Sequence, residues 1–101
     1  MLIYNVTTKV AHPIAESWLR WMQEEHIPEL VQTGCFSHAV ILHLLENDDE
    51  EGLTYAVQYH TASREDYQRY LDQFAETMRK KAIDKWKDQV ISFRTLMQVV
   101  H

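Results

Sequence analysis

A histidine lies in the middle of an apolar helical stripe in the segment 16–34, ESWLRWMQEEHIPELVQTG. The unperturbed pKa of imidazole, about 6.5, suits proton transfer near neutral pH, so His26 is a candidate catalytic acid or base. A second interpretation is structural: His26 fills space and hydrogen-bonds a carbonyl that Pro28 leaves free. The sequence alone leaves both interpretations open.

Arg94 is the second candidate, because it lies in the middle of a strand-like stretch, FRTLMQVV, between apolar neighbours. A buried guanidinium without a partner costs roughly 3–5 kcal/mol, so an anion or water must face it. Arg94 could clamp a carboxylate, phosphate or enolate of a ligand. It could equally pair with a protein carboxylate, such as Glu46 or one from a partner chain.

Two amides, Asn5 and Gln58, fall on strands that we expect to be neighbours at the centre of one sheet. With Arg94 they could form a polar trio that orients a small ligand in an otherwise apolar pocket. The alternative is that the two amides hydrogen-bond each other across the strands.

The sequence predicts neither a metal nor a cofactor. There is one cysteine, Cys35, and no pair of histidines with metal-binding spacing; His38 and His43 point to opposite faces of a strand. A glycine-rich phosphate loop, a GxSxG motif and a dinucleotide fingerprint are all missing.

Composition favours one globular domain covering residues 1–101, with 46% hydrophobic and 25% charged residues. Fifteen acidic against ten basic residues give a net charge of −5, which argues against a nucleic-acid partner. No apolar run reaches the roughly 18 residues that span a bilayer, so no membrane partner is expected. The single cysteine and the missing signal region favour the cytoplasm.

The elements that position these residues follow from periodicity. Alternation predicts strands at residues 2–10, 36–46, 53–60 and 90–100, the middle two forming a hairpin. An amphipathic helix follows the first strand; Pro28 should push Ile27 out of the helical region, and Gly34 should end the helix.

A second helix should start at a capping box formed by Ser63 and Asp66. It carries a buried stripe through Met78, and the run Arg79-Lys80-Lys81 is expected to end it as a solvated face. The order β-α-β-β-α-β predicts an α+β, ferredoxin-like fold: a four-stranded antiparallel sheet with both helices on one side and strands one and three in the centre.

The other sheet face then has to be explained. We assign to the helix side Tyr4, Val6, Tyr55, Val57, Tyr59, Phe93 and Met97. The open face then carries Ile3, Asn5, Thr7, Ala56, Gln58, His60, Arg94, Leu96 and Gln98, and strand two adds either Ile41, His43 and Leu45 or Val40, Leu42 and Leu44. This face is too apolar to remain hydrated, which predicts a homodimer paired sheet to sheet, with a pocket between the sheets.

Four stretches carry a family resemblance: YNVT at 4–7, EEHIPELVQTGCF at 24–36, TYAVQY at 54–59 and FRTLMQVV at 93–100. In this order they resemble an uncharacterised bacterial family, catalogued as a domain of unknown function. The helix that ends in His-x-Pro is similar to a feature of the dimeric α/β-barrel superfamily, which includes antibiotic-biosynthesis monooxygenases and muconolactone isomerases. The resemblance implies two ferredoxin-like subunits paired sheet to sheet.

Haem-degrading members of that superfamily use an asparagine, a tryptophan and a histidine in their pocket, and Asn5, Trp21 and His26 lie in comparable segments here. The resemblance therefore adds Trp21 to the ligand-binding candidates Asn5, Gln58 and Arg94, although it does not align residue by residue. The sequence predicts a homodimer that binds a small, anionic or neutral organic molecule. The alternatives are a cofactor-independent monooxygenase, isomerase or cyclase, with His26 as base, and a structural dimer without a ligand.

Overall fold

A computed structural model describes all 101 residues and contains one four-stranded antiparallel sheet with the order β2-β3-β1-β4. The two long central strands are β1 and β3, as predicted. The strands are β1 (Leu2–Ala11), β2 (His38–His43), β3 (Gly52–Thr61) and β4 (Val90–Gln98). Together with the helices described next, this confirms the predicted α+β, ferredoxin-like βαββαβ order.

The first helical connection is continuous but changes its winding. A 3₁₀ turn (His12–Ile14) leads into α1 (Ala15–Trp21), a π-helical segment (Met22–His26) and α2 (Ile27–Gln32). The prediction that Pro28 pushes Ile27 out of the helical region was wrong, since Ile27 has φ −59° and ψ −47°. Its N–H donates to the Met22 carbonyl, five residues back, so the wider turn accommodates the proline within the helix.

Gly34 follows the end of α2 with φ +80°, which confirms the predicted stop. The second connection consists of α3 (Arg64–Gln73) and α4 (Ala75–Trp86), separated at Phe74, where φ is −128°. A 3₁₀ turn (Lys87–Gln89) leads into β4. Ser63 caps α3 as predicted, accepting a hydrogen bond from the Asp66 N–H at 3.1 Å.

The run Arg79-Lys80-Lys81 lies in the middle of α4 and does not end a helix. That expectation was wrong because the chain breaks earlier, at Phe74, and α4 then continues to Trp86. Only part of the run is a solvated face: Lys80 and Lys81 are exposed, whereas Arg79 is half-buried.

The core lies between the sheet and the helices and is rich in aromatic rings. Tyr4, at the centre of β1, packs against the rings of Phe36, Tyr59, Tyr67 and Tyr70, with centroids 5.5–5.9 Å away. Apolar residues of all the helices complete this layer, including Trp18, Trp21, Met22, Leu30, Met78 and Trp86.

The register of β4 reverses part of the predicted face assignment. Directly paired residues of an antiparallel sheet point to the same side, and Val6 pairs with Arg94 whereas Thr7 pairs with Phe93. Arg94 and Leu96 therefore lie on the helix side, and Phe93 lies on the open face. Gln98 follows Arg94 and Leu96, and Met97 follows Phe93. The assignments for β1 and β3 are correct; those for β4 were wrong by one residue, the shift that exchanges every side chain between faces.

The open face is apolar towards both edges and polar in the middle. Val40 and Leu42 of β2 are each 43% exposed, and Ile91 and Phe93 of β4 are 58% and 67% exposed. Val40 and Leu42 pair with Gln58 and Ala56, which settles the alternative left open for strand two. None of the helices combines the length and the apolar character that crossing a bilayer requires.

Candidate ligand cavity between the sheet and the helices

A cavity of about 60 Å³ lies between the sheet and the helix layer of the single chain. Most of its wall is apolar or aromatic, which suits the body of a small organic molecule. The polar groups on the wall come from three different elements: His26 at the end of the π-helical segment, Arg79 on α4 and Arg94 on β4. The apolar wall is formed by Val6, Trp18, Trp21, Met22, Leu30, Val57, Met78, Ala82 and Val90. The predicted pocket between two sheets is not this cavity, which the chain builds on its helix side.

His26 is buried, with 9% of its surface exposed, and its ring stacks on the indole of Trp21. The ring centroids are 4.4 Å apart and the planes differ by 20°. Its Nδ1 is buried and has no hydrogen-bond partner, so the predicted bond to a carbonyl is wrong, whereas the ring does fill space in the core as the structural interpretation predicted.

The electrostatic environment keeps His26 neutral at physiological pH. Burial, opposed by Glu29 and assisted by the cations Lys81 and Arg94, lowers its pKa from 6.5 to about 4. A neutral imidazole in an apolar wall can accept or donate one hydrogen bond to a ligand.

Arg94 lies on the edge strand β4 and is itself exposed, so its side of the cavity reaches solvent. It forms no ion pair: the four pairs in the chain join Arg20 to Glu16, Arg69 to Asp66, Lys80 to Asp84 and Lys81 to Glu29. The interpretation in which Glu46 of the same chain neutralises Arg94 is therefore wrong.

Arg79 is a cavity residue that the sequence analysis missed. Its Nη2 donates to the Tyr4 hydroxyl at 3.2 Å, and its Nε is buried without a partner. Burial acts to lower the pKa of Arg79, but the hydrogen bond to Tyr4 and the nearby tyrosines outweigh it, so the net shift is upward. The signal was present in the sequence, because Arg79 is four residues after Ala75 and three before Ala82, within the buried stripe of α4.

The structure brings together His26, Trp21 and Arg94, but not Asn5 and Gln58. Asn5 and Gln58 pair directly across β1 and β3, as predicted, and both lie on the open face. The polar trio with Arg94 was wrong, because Arg94 points to the opposite side of the sheet. The Asn5 Nδ2 donates to Thr7 Oγ1 at 3.0 Å, and its Oδ1 is buried without a partner.

The chemical capacity of the cavity follows from these groups. It contains one neutral imidazole, two guanidinium cations and the hydroxyls of Tyr4, Tyr59 and Tyr70. Burial is the main cause that raises the pKa of Tyr59 and of Tyr70, so both remain neutral phenols. Nowhere in the chain do three His, Cys, Asp or Glu side chains meet as a metal site would require. The cavity can therefore take a small apolar group and stabilise a negative charge.

Three solved structures share this fold over almost their whole length. A dimeric ferredoxin-like protein from an uncultured marine organism superposes with a TM-score of 0.73 at 10% identity, covering 99% of this chain and 95% of that one. SnoaB, a cofactor-independent oxygenase from Streptomyces nogalater, gives 0.66 at 14% identity, with 99% and 94% covered. A proposed antibiotic biosynthesis monooxygenase from Deinococcus radiodurans gives 0.63 at 16% identity, with 100% and 94% covered.

The amino-acid sequence matches a family model but no curated protein. No curated protein has significant sequence similarity to this chain. The profile of Domain of unknown function (DUF4286) matches residues 1–100.

Proposed function

We propose that this chain, which belongs to the family Domain of unknown function (DUF4286), binds a small organic molecule in the cavity between its sheet and its helices. One observation carries the proposal: a neutral histidine, buried in an aromatic wall, lines that cavity and has a buried Nδ1 that no protein group satisfies. Buried polar atoms are normally paired, and an unpaired one at a cavity commonly marks a ligand or an ordered water.

Filling the cavity tests this function. Ala82 is a half-buried cavity residue on α4, so Ala82→Leu places a larger side chain in the space while keeping a good helix former. Wild-type protein should bind small aromatic molecules, observed as quenching of tryptophan fluorescence from Trp18 and Trp21, and A82L should lose that binding. The matched control is Ile83→Leu, a neighbouring position whose side chain is 62% exposed. Equal binding by A82L and wild type would show that the cavity is not the site.

A second candidate function, catalysis, is favoured by the position of His26 in the same cavity as Arg94. His26 is neutral at pH 7, but its pKa of about 4 makes it a weak base, so it takes a proton from a C–H or O–H of a bound molecule only where Arg94 stabilises the resulting anion. Two of the proteins with this fold are described as oxygenases, one of them cofactor-independent. The test is hydrogen–deuterium exchange at the α carbon of a simple aryl ketone, acetophenone, followed by NMR at pH 7. Exchange at the buffer rate in wild type, or at the same enhanced rate in His26→Phe, would exclude His26 as the base.

Self-association through the open sheet face is the third part of the proposal. The exposed apolar side chains of β2 and β4 border that face, and a standard interface buries about 800 Å² per partner. Isologous two-fold pairing is the commonest arrangement for a single surface of this kind. One protein with this fold is described as dimeric. Such pairing would also cover Asn5 and Gln58, which lie at the centre of the face.

A further inference from the structure

The cavity is unusual in its charge. The chain has fifteen acidic residues and a net charge of −5, yet no aspartate or glutamate lines the cavity. Its only charged groups are Arg79 and Arg94, and neither forms an ion pair anywhere in the chain. Two guanidinium groups therefore face one small space without a protein carboxylate to neutralise them.

The two arginines approach the cavity from different elements. Arg79 comes from α4 in the helix layer, and Arg94 comes from the edge strand β4 in the sheet. Tyr70 lies close to both, and the two positive charges act to lower its pKa against the larger effect of burial. Arg79 is held by its bond to Tyr4 at 3.2 Å, which leaves its Nε without a partner. A guanidinium that is already fixed loses less side-chain freedom when it binds an anion.

The remaining polar groups suit the same kind of ligand. Tyr59 and Tyr70 contribute phenols that stay protonated, and neither hydroxyl is hydrogen-bonded within the chain, in contrast to that of Tyr4. A neutral phenol can donate to an anionic oxygen. The wall around these groups is aromatic and aliphatic, so the anionic group has to be carried by an apolar body.

We propose that Arg79 and Arg94 together bind the carboxylate of a small aromatic or unsaturated organic acid whose apolar part packs against the cavity wall. The inference rests on the proposed function and names its ligand class. A carboxylate is planar and matches the guanidinium fork. The cavity of about 60 Å³ admits only part of the apolar body, and the rest extends along its solvent side at Arg94. His26 then faces the body of the acid, and Trp21 contributes part of the aromatic wall.

A pair of isosteric probes tests the ligand class in the wild-type protein. Benzoate and benzamide have the same ring and nearly the same shape, but only benzoate is charged at pH 7. Isothermal titration calorimetry should give a Kd for benzoate at least about tenfold below that for benzamide, as charge-assisted hydrogen bonds predict. Benzoate should also raise the Tm of the protein more than benzamide at equal concentration.

Variants assign the preference to the two arginines. Arg79→Gln and Arg94→Gln should each reduce the ratio of the two Kd values to about threefold or less, because each removes one charged donor group. Arg20→Gln is the matched control: Arg20 is an exposed helix residue 3.6 Å from Glu16 and outside the cavity. If R79Q does not fold, the Tm shifts of wild type and R94Q with the two probes decide the same question.

The outcomes separate this inference from the proposed function. Equal affinity for benzamide and benzoate, with loss of both in A82L, would overturn the carboxylate while leaving the cavity as a binding site. A loss of preference in R20Q as large as in R79Q would also overturn it, because general surface charge would then explain the selectivity. Binding of neither probe would overturn both proposals.

Discussion

The imidazole of His26 stacks on the indole of Trp21 with centroids 4.4 Å apart, and this contact forms one wall of the cavity. Trp21 also contacts Trp86, whose ring meets it edge-on with centroids 5.8 Å apart. His26 is thus placed by a chain of aromatic contacts that reaches from the π-helical segment to the end of α4. No hydrogen bond to its Nδ1 takes part in placing it.

The buried neutral state of His26 predicts a loss of stability in mild acid. The pKa of His26 is about 4 in the folded chain and about 6.5 when unfolded, so between these values only the unfolded chain takes up the proton. This loss of stability is absent above pH 7.5, grows as the pH falls through 6.5 and stops growing near pH 4. At pH 5 it should reduce the free energy of unfolding by about 2 kcal/mol.

Urea denaturation at pH 7.5 and pH 5 measures this effect. His26→Phe keeps a ring against Trp21 but cannot titrate, so it should lose about 2 kcal/mol less than wild type between the two pH values. The control is His12→Phe, at an exposed position in the 3₁₀ turn after β1. Parallel pH dependence in wild type and H26F would show that His26 is not the neutral buried group described above.

The open sheet face gives a prediction about assembly. Phe93 is 67% exposed in the single chain and lies on the edge strand of the open face, where it pairs with Thr7. Phe93→Lys would place a charge inside the proposed dimer interface, so sedimentation should change from dimer to monomer while the circular dichroism spectrum stays the same. Ile83→Lys, at a 62% exposed position on α4, should leave the dimer intact. A wild-type protein that sediments as a monomer at high micromolar concentration would disprove the interface.

The sequence predicted the fold well because its signals were local and mutually consistent. Alternation along β1 and β3, the Ser63 cap and Gly34 as a helix stop each determine one element, and together they define the ferredoxin-like order. β4 was harder, because both of its faces carry apolar residues: Ile91 and Phe93 on one side, Val90 and Leu96 on the other. Only its register against β1 decides which side Arg94 faces.

The residues of the candidate site were predicted only where a local pattern identified them. His26 and Trp21 were found because they share one helix stripe or one family segment, and both line the cavity. Arg79 was missed because charge favoured a surface interpretation, although its spacing placed it among buried residues. Asn5 and Gln58 were grouped with Arg94 through an assumption about polarity, which the pairing of the strands contradicts.

The contribution of the Ser63 cap to the stability of α3 can be tested by removing its hydroxyl oxygen. Ser63→Ala removes the oxygen that accepts the Asp66 N–H at 3.1 Å, so the free energy of unfolding should fall by about 1 kcal/mol. Ser17→Ala, at an exposed position inside α1, should leave stability within about 0.5 kcal/mol of wild type. An unchanged midpoint of urea denaturation in S63A would mean that water replaces the cap without cost.

The two glycines should differ in the cost of adding a methyl group. At Gly34 a Cβ would find open space, with Nη2 of Arg69 at 3.8 Å as its nearest neighbour, so Gly34→Ala is opposed only by its φ of +80°. That conformation costs about 1 kcal/mol for a residue with a side chain.

At Gly52, where β3 begins beside the end of β1, a Cβ would clash with the backbone carbonyl of Val10. Because the central strands cannot separate without breaking their hydrogen bonds, Gly52→Ala should cost about 3 kcal/mol. Urea denaturation of both variants at pH 7.5 gives the two free energies directly. A smaller loss in G52A than in G34A would mean that β1 and β3 do not pack as closely at Val10 as the pairing of Ala11 with Gly52 requires.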